Sequence, residues 1–348
     1  MAAGPFWATI DFMEDTANVE NCLRAYDTDC QPSNLESLGN AGGFSGAQFW
    51  RLETPRGHLC LRCWPPEHPD RERLQFIHGV LKHVVAECDV PLPLATSQGD
   101  TFVEQAGHFW QLEPWLPGAA DFQEKPNDAR LTAAMSALAN FHKAAETFPH
   151  SGAAEGPSPG FAARLAKTRS WTDEKITRLL QAIQSARRPE HEPIIPLVRE
   201  IVTLYRSSAA EVERTLAAVE ARQLPLQPCL RDIHDGHVLF EGDEVSGLID
   251  FGSMRIDHVT CDVARLLGSL VADDVGRRQA ALIAYEEVRP ITMSDRVLIR
   301  IWDRSTSLLS GMNWLEWIFL DGRTFPDYTT IAARLEKIRD RLRVLAGS

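Results

Sequence analysis

The residues with the clearest chemical potential lie in the segment 230–262, which contains Asp232 and Asp250. This segment has the pattern of a loop, a short strand at 238–240, a tight turn at 241–244 and a second short strand that ends at Asp250. Because a hairpin brings its two ends together, we expect the two carboxylates to face one cavity. Phosphoryl transfer uses such a pair: one carboxylate orients the acceptor hydroxyl and accepts its proton, and the other holds a magnesium ion. The competing interpretation is a pair of surface aspartates, which are common in turns.

The elements around this segment predict two lobes of different character. The first part of the chain has the alternation typical of strands at 47–53, 58–64, 101–104 and 109–115, and the apolar spacing of a helix at 69–88. Beyond residue 128 the apolar spacing is mainly helical, apart from short strands and turns at 225–251. We therefore predict an α+β fold with a small strand-rich lobe at 1–116 and a larger, mainly helical lobe at 117–348.

The motifs of this segment resemble the aminoglycoside phosphotransferase and choline kinase-like family. That family has a loop of the form His-Gly-Asp-x-His-x-x-Asn, then a strand and Ile-Asp-Phe; here Asp232, His234 and Asp250 match the corresponding positions. Downstream, Asp262-Val-Ala resembles the family's Asp-Leu-Ala, and His142 ends a Leu-Ala-x-x-His sequence on a predicted helix. The resemblance implies a protein-kinase-like fold, ATP and Mg²⁺ as cofactors, a catalytic role for Asp232, metal binding by Asp250, and supporting roles for Asp262 and His142.

The resemblance also implies a nucleotide site in the first lobe. The glycine-dense stretch 39–46 would cover the phosphates with its backbone amides, although it lacks the Gly-Lys-Ser/Thr ending of a P-loop. Arg62 takes the place of the strand lysine that steadies the phosphates, and Glu113 and Trp115 fall where the inter-lobe hinge contacts adenine, usually through its backbone. The predicted nucleotide-binding residues are Gly42, Gly43, Ser45, Arg62, Glu113 and Trp115.

Four positions depart from the family pattern. Leu230 replaces the first histidine of the loop, Arg231 replaces its glycine, and His237 replaces the metal-binding asparagine. Histidine is a better ligand for manganese than for magnesium, so Mn²⁺ is an alternative metal, and a buried, backbone-bonded His237 is an equal alternative. At the fourth position, Arg62 can grip phosphate as the lysine would, with different geometry, and Glu72 is its expected acidic partner.

These departures leave three functional interpretations open. The leading one is an ATP-dependent small-molecule kinase that phosphorylates a hydroxyl of an aminoglycoside-, choline- or homoserine-like metabolite. The second is a catalytically silent member of the fold that binds a nucleotide or metabolite. The third is a zinc hydrolase built from His234, His237 and Asp250, which lacks the usual helical zinc motif. The Trp-rich segment 302–317 is a candidate substrate wall, with ordinary core packing as the favoured alternative.

Composition narrows the choice of partners. The chain has 348 residues, with 36 basic and 48 acidic side chains and a formal net charge of −12. This surface repels phosphate backbones and anionic lipid, so we expect a small-molecule partner, mildly favour a cationic one, and expect neither nucleic acid nor membrane. The 7 cysteines are scattered and the first residues lack a basic leader, which predicts a cytoplasmic protein. The oligomeric state cannot be inferred from the sequence.

Overall fold

The structure is a computed structural model that describes residues 12–40, 46–150, 152–185, 188–325 and 327–347, with only the backbone described at 12–16. The chain forms two compact units. The first comprises Met1–Ala119 together with Ser246–Gly252, and the second comprises Ala120–Val245 and Ser253–Ser348. The short segment that contains Asp250 therefore packs with the first unit, whereas Asp232 belongs to the second.

The first unit is built on a five-stranded antiparallel sheet in the order β1-β2-β3-β5-β4. Its strands are β1 (Asn34–Gly39), β2 (Gln48–Thr54), β3 (Gly57–Cys63), β4 (Val103–Gln105) and β5 (His108–Pro114), and its helices are α1 (Phe12–Leu23) and α2 (Arg71–Val84). β2 and β3 form the expected hairpin, with Thr54 paired to Gly57, whose φ of 115° lies in the region that favours glycine.

Side-chain alternation gives this sheet two different faces. One face is apolar and packs with residues of α1; its members include Val19, Cys22, Trp50, Leu52, Leu59, Leu61, Trp110 and Leu112. The residues between them in the strands, Arg62 of β3 and Gln111 and Glu113 of β5, point to the opposite face. Asp70 is the N-cap of helix α2, and its carboxylate accepts a hydrogen bond from the Arg73 backbone N–H. The first unit therefore combines an apolar core with a second face that presents charged and polar groups.

The second unit is mainly helical. Its helices are α3 (Asp128–Ala145), α4 (Pro159–Ser170), α5 (Asp173–Ser185), α6 (Ile195–Ala217), α7 (Thr260–Leu270), α8 (Val275–Glu286), α9 (Met293–Leu315) and α10 (Tyr328–Gly347). Helices α6, α9 and α10 pack against one another and α7 packs against α9. A charged network joins three helices, because Asp303 of α9 binds Arg341 of α10 at 2.8 Å and Arg278 of α8 at 3.1 Å.

Short strands hold the loops of the second unit. They are β6 (Glu155–Gly156), β7 (Leu224–Pro225), β8 (Gln227–Cys229), β9 (Val238–Glu241), β10 (Glu244–Leu248) and β11 (Arg255–Asp257). β8 pairs with β11, with Cys229 opposite Arg255, so the loop that follows β8 starts beside the beginning of β11. β9 and β10 form the expected two-stranded sheet. Among the described residues, no helix has the length and apolarity needed to cross a bilayer.

Candidate active site

Arg62 is a buried cation on the polar face of the first unit's sheet. Its guanidinium contacts two aromatic rings, 3.7 Å from the centroid of Trp64 and 4.8 Å from that of Phe49. Its Nη2 donates a hydrogen bond to Asp250 Oδ1 at 2.7 Å. The predicted ion pair between Arg62 and Glu72 was wrong. Glu72 is exposed on α2, and the Arg62 guanidinium instead binds Asp250, which is distant in sequence.

Asp250 occupies a special backbone position. Its φ of 61° is in the left-handed region, where non-glycine residues are uncommon. The following residues are fixed by the first unit, since Gly252 O accepts a hydrogen bond from Arg73 Nη2 at 2.8 Å. A Cβ at Gly252 would lie 2.9 Å from the Trp64 ring, so only glycine fits there without a shift. The Asp-Phe-Gly sequence is therefore tied to the same tryptophan that supports Arg62.

Glu113 is a second acidic residue on the same face of the sheet as Arg62. It lies opposite Cys60 of β3, and its carboxylate accepts a hydrogen bond from Gln111 Nε2 at 2.5 Å. Burial raises the pKa of Glu113 to about 7, against the opposing effect of the Arg62 guanidinium. Glu113 thus has a side chain poised to titrate, although we expected only the backbone at this position to matter.

The structure gives less information about the other predicted nucleotide-binding residues. Trp115 follows β5, and the Arg51 guanidinium lies 4.9 Å from the centroid of its ring. Gly42, Gly43 and Ser45 lie outside the described residues. The nucleotide-binding role of these positions stays a prediction.

Asp232 lies in the second unit on a loop with a strained residue before it. Its Oδ1 accepts a hydrogen bond from Nε of Arg265 on α7 at 3.1 Å, and Nη2 of the same guanidinium lies 3.1 Å from it as an ion pair. Arg231 has φ 71°, the conformation that the glycine of the resembling family would adopt without cost. The loop geometry is therefore glycine-like even though the residue is arginine.

A buried carboxylate fixes this loop from below. Asp262 of α7 is fully buried and accepts from the backbone N–H groups of Leu230 at 2.6 Å and Arg231 at 2.7 Å. The His142 ring lies 3.1 Å from the same carboxylate through Nε2, and its Nδ1 lies 2.7 Å from the Tyr285 hydroxyl. This network assigns Nε2 as the donor, and burial lowers the pKa of His142, which keeps the ring neutral. The predicted supporting residues Asp262 and His142 are thus in direct contact.

A second buried carboxylate, Asp257, was missed by the sequence analysis. It forms an ion pair with Arg231 and accepts from the Gly160 N–H at 3.1 Å and the Ser158 hydroxyl. A Cβ at Gly160 would meet Trp302 at 2.4 Å and Asp257 at 2.5 Å, so α4 can approach this loop only through a glycine. No recognisable motif surrounds Asp257 in the sequence. Only its position at the end of a short strand could have indicated that its side chain is buried.

The rings of the two histidines of the loop contact each other at a tilt of 36°. The ring centroids of His234 and His237 are 3.7 Å apart, and His234 Nδ1 accepts from the Gly236 N–H at 3.1 Å. That bond fits the bracing role we preferred for His234. The metal role of His237 stays a prediction.

Two further groups resemble sites but are explained by packing. Trp302 of the candidate substrate wall is buried against Phe161 and donates to Thr260 Oγ1 at 3.1 Å, as ordinary core would be. His142, Cys229 and Asp262 present possible metal-binding atoms within 4.8 Å of one another. Since both ring nitrogens of His142 and both carboxylate oxygens of Asp262 already have hydrogen-bond partners, this cluster braces the loop.

A strand-rich unit with an aspartate on an Asp-Phe-Gly turn, and a helical unit with an aspartate on a braced loop, define the kinase-like class of phosphotransferases. The family model described as "Phosphotransferase enzyme family" matches residues 38–295, so the chain belongs to the phosphotransferase enzyme family. The predicted family, fold class and enzyme class are confirmed.

Individual relatives extend over most of the chain. A homoserine kinase of Chelativorans sp. is 27% identical over 321 residues, covering 89% of this chain and 88% of the relative. A homoserine kinase of Rhodopseudomonas palustris is 26% identical, covering 79% and 77%. An amicoumacin kinase in complex with AMP-PNP and Ca²⁺ has a TM-score of 0.66 at 13% identity, covering 95% and 94% of the chains. An aminoglycoside phosphotransferase from Alicyclobacillus acidocaldarius has a TM-score of 0.63 at 17% identity, covering 94% of each chain.

Proposed function

We propose that this phosphotransferase moves the γ-phosphate of ATP to a hydroxyl group of a small metabolite, with Asp232 as the catalytic base. The observation that supports this most directly is the bracing of the loop. Buried Asp262 holds the two backbone N–H groups that precede Asp232. A base must be held within hydrogen-bond reach of the hydroxyl that it deprotonates, and a rigid loop provides that precision.

In this proposal the first unit binds the nucleotide. The Arg62 guanidinium, which contacts the rings of Trp64 and Phe49, is suited to grip phosphate oxygens, because its planar donors match them in a bidentate way. Trp115 and Glu113 would contact the adenine ring of the nucleotide, and Gly42, Gly43 and Ser45 would cover its phosphates.

The residues present also fit a divalent metal. Asp250 offers the hard carboxylate oxygen that Mg²⁺ prefers, and its side chain is 40% exposed despite the ion pair with Arg62. His237 would be the second ligand, and its nitrogen favours Mn²⁺ as the alternative ion. A metal held there would neutralise charge on the phosphates.

The acceptor comes from one of two classes. The curated relatives named above are homoserine kinases, whereas the solved structures include kinases of antibiotics. The catalytically silent alternative gains no support from relatives with these names, and family membership favours phosphoryl transfer over zinc hydrolysis. The 7 cysteines are all thiols, as we expect for an enzyme of the reducing cytoplasm.

The decisive experiment is turnover of Asp232→Asn. With ATP, Mg²⁺ or Mn²⁺ and a panel of hydroxyl acceptors, we expect the wild type to release ADP in an acceptor-dependent way. Asp232→Asn should lower kcat by about 10²- to 10⁴-fold and leave ATP affinity unchanged, because only proton transfer is removed.

The matched control is Asp243→Asn in the exposed turn of the same segment, where an amide oxygen can still accept from Asn127 Nδ2. Its turnover should equal that of the wild type. Unchanged turnover in Asp232→Asn would refute the assignment, and nucleotide binding without turnover on any acceptor would favour the silent alternative.

A further inference from the structure

A hydrogen-bond relay crosses the first unit and ends at the tryptophan that contacts Arg62. Trp64 Nε1 donates to Gln111 Oε1 at 2.7 Å. The same oxygen lies 3.1 Å from His78 Nε2, and His78 Nδ1 lies 2.7 Å from Thr101 Oγ1. The side chains of Trp64, His78 and Gln111 are all buried. The relay Thr101–His78–Gln111–Trp64 therefore connects α2, through β5, to the surroundings of Arg62.

The donors and acceptors of the relay have one consistent arrangement. An indole N–H can only donate, so the Gln111 atom that faces Trp64 is the oxygen, and Gln111 Nε2 is left to donate to Glu113. Burial lowers the pKa of His78 to about 4, so its ring is neutral near pH 7. His78 Nε2 must then donate to Gln111, and Nδ1 accepts from the Thr101 hydroxyl.

The relay reaches the Arg62 guanidinium through the Trp64 ring, whose centroid lies 3.7 Å away. The bond from Nε1 to Gln111 fixes the rotation of the indole, and with it the surface against which the guanidinium packs. The sequence suggested that α2 would hold Arg62 with an acid, Glu72. Instead α2 contributes a buried, neutral histidine that acts through two intermediate side chains.

We propose that His78 and Gln111 are positioning residues for the nucleotide phosphates, because they orient Arg62 through the Trp64 ring. This inference rests on the phosphate-binding role of Arg62 in the proposed function. A neutral relay can orient the guanidinium without adding a carboxylate that would compete with phosphate for its donors. Neither residue touches the nucleotide in this proposal, so their effect is confined to the phosphates.

The experiment compares ADP with adenosine, which lacks the phosphates. Both are titrated by calorimetry in EDTA, so that no divalent ion links the phosphates to Asp250. We expect the wild type to bind ADP about tenfold or more tightly than adenosine, since hydrogen bonds to a charged group are the stronger kind. A wild type without this preference overturns the proposal.

Variants at the two positions differ in the hydrogen bonds that they can form. Gln111→Met keeps the side-chain length and removes the acceptor, and it should lower the preference for ADP about fivefold, as expected for one hydrogen bond. His78→Asn is too short to reach Gln111 and should act similarly, whereas His78→Gln has an amide nitrogen at the distance of Nε2 and should retain the preference. The double variant of Gln111→Met and His78→Asn should bind ADP no more weakly than Gln111→Met alone, because His78 acts only through Gln111. Adenosine affinity should not change in any of them.

The matched control is Gln31→Met, which removes hydrogen bonds to the Leu23 and Tyr26 carbonyls at 2.8 Å and 3.3 Å. It should lower stability and leave the preference for ADP unchanged. The same result in Gln111→Met and His78→Asn would show that the relay is only structural, and would overturn the proposal. If Gln111→Met does not fold, the comparison at position 78 decides, and equal preferences in His78→Asn and His78→Gln overturn the proposal.

Arg62→Gln separates this inference from the proposed function. It should abolish the preference for ADP over adenosine. If it does so while the variants of His78 and Gln111 keep the preference, the relay fails and the role of Arg62 stands. If Arg62→Gln keeps the preference, Arg62 does not bind the phosphates, and the relay fails together with that part of the proposed function.

Discussion

The sharpest prediction concerns Asp262, which touches no substrate but holds the loop of the proposed base. Its Oδ2 accepts from Leu230 N and His142 Nε2, and its Oδ1 accepts from Arg231 N, with the Cys261 thiol at 3.4 Å. Asp262→Asn keeps the shape but replaces one acceptor oxygen by an NH₂ group. Whichever way the amide turns, one backbone N–H then faces another donor.

The expected loss follows from these bonds. The variant loses the charge and the bonds on one side of the carboxylate, each worth about 1.5–3 kcal/mol when the acceptor is ionised. A buried network broken on one side typically costs about 3–5 kcal/mol, and we expect Asp262→Asn to lose that much free energy of unfolding. Turnover should fall as well, because the backbone before Asp232 is no longer fixed.

Urea unfolding at pH 7.5, followed by circular dichroism, measures the loss. The control is Asp274→Asn at the N-cap of α8, where asparagine caps as well as aspartate and the change should stay within about 0.5 kcal/mol. A loss below about 1 kcal/mol in Asp262→Asn, with turnover retained, would show that the carboxylate does not brace the loop.

Two pH predictions concern groups of the first unit whose pKa values are shifted by burial, and they have opposite signs. Burial lowers the pKa of His78 from 6.5 to about 4, so the unfolded chain takes up the proton first, and stability should fall by about 1.4 kcal/mol per pH unit as the pH drops from 6.5 to 4. Urea midpoints of His78→Asn should lack this part of the slope; a slope equal to that of the wild type would contradict it. Burial raises the pKa of Glu113 from 4.5 to about 7, so the folded state holds the proton longer, and this group's contribution falls as pH rises through that range. Glu113→Gln should therefore gain stability over the wild type at pH 8 but not at pH 5, and an equal difference at both values would count against a Glu113 that titrates in the folded state.

Features with short sequence spacing could be predicted, because local patterns specify local structure. The β2–β3 hairpin, α2 and α3, and the strands on either side of Gly242 follow from alternation, helical period and turn residues. The supporting roles of Asp262 and His142 followed from the resemblance, and the two residues are indeed in contact.

Features that depend on distant segments could not be predicted. The Arg62 guanidinium binds Asp250, 188 positions away, and no pattern in β3 or α2 indicates this pairing. Sequence favoured Glu72 only because it was the nearest acid on the following helix. Arg265 was missed for a similar reason, since nothing in its own helix marks it and only the fold brings it to Asp232.

The departure at Arg231 shows how a motif can change while its geometry persists. A left-handed conformation costs a residue with a Cβ about 1–2 kcal/mol, which glycine would avoid. The same arginine, however, supplies the guanidinium that pairs with the fully buried Asp257, and an uncompensated buried charge costs about 3–5 kcal/mol. The cost of an unpaired buried charge exceeds the cost of the left-handed backbone. The folded chain with Arg231 paired to Asp257 is therefore more stable than it would be with a glycine at position 231 and an unpaired Asp257. The change at 231 therefore reflects a different way of bracing the loop, and it gives no reason to doubt that Asp232 can act as the base.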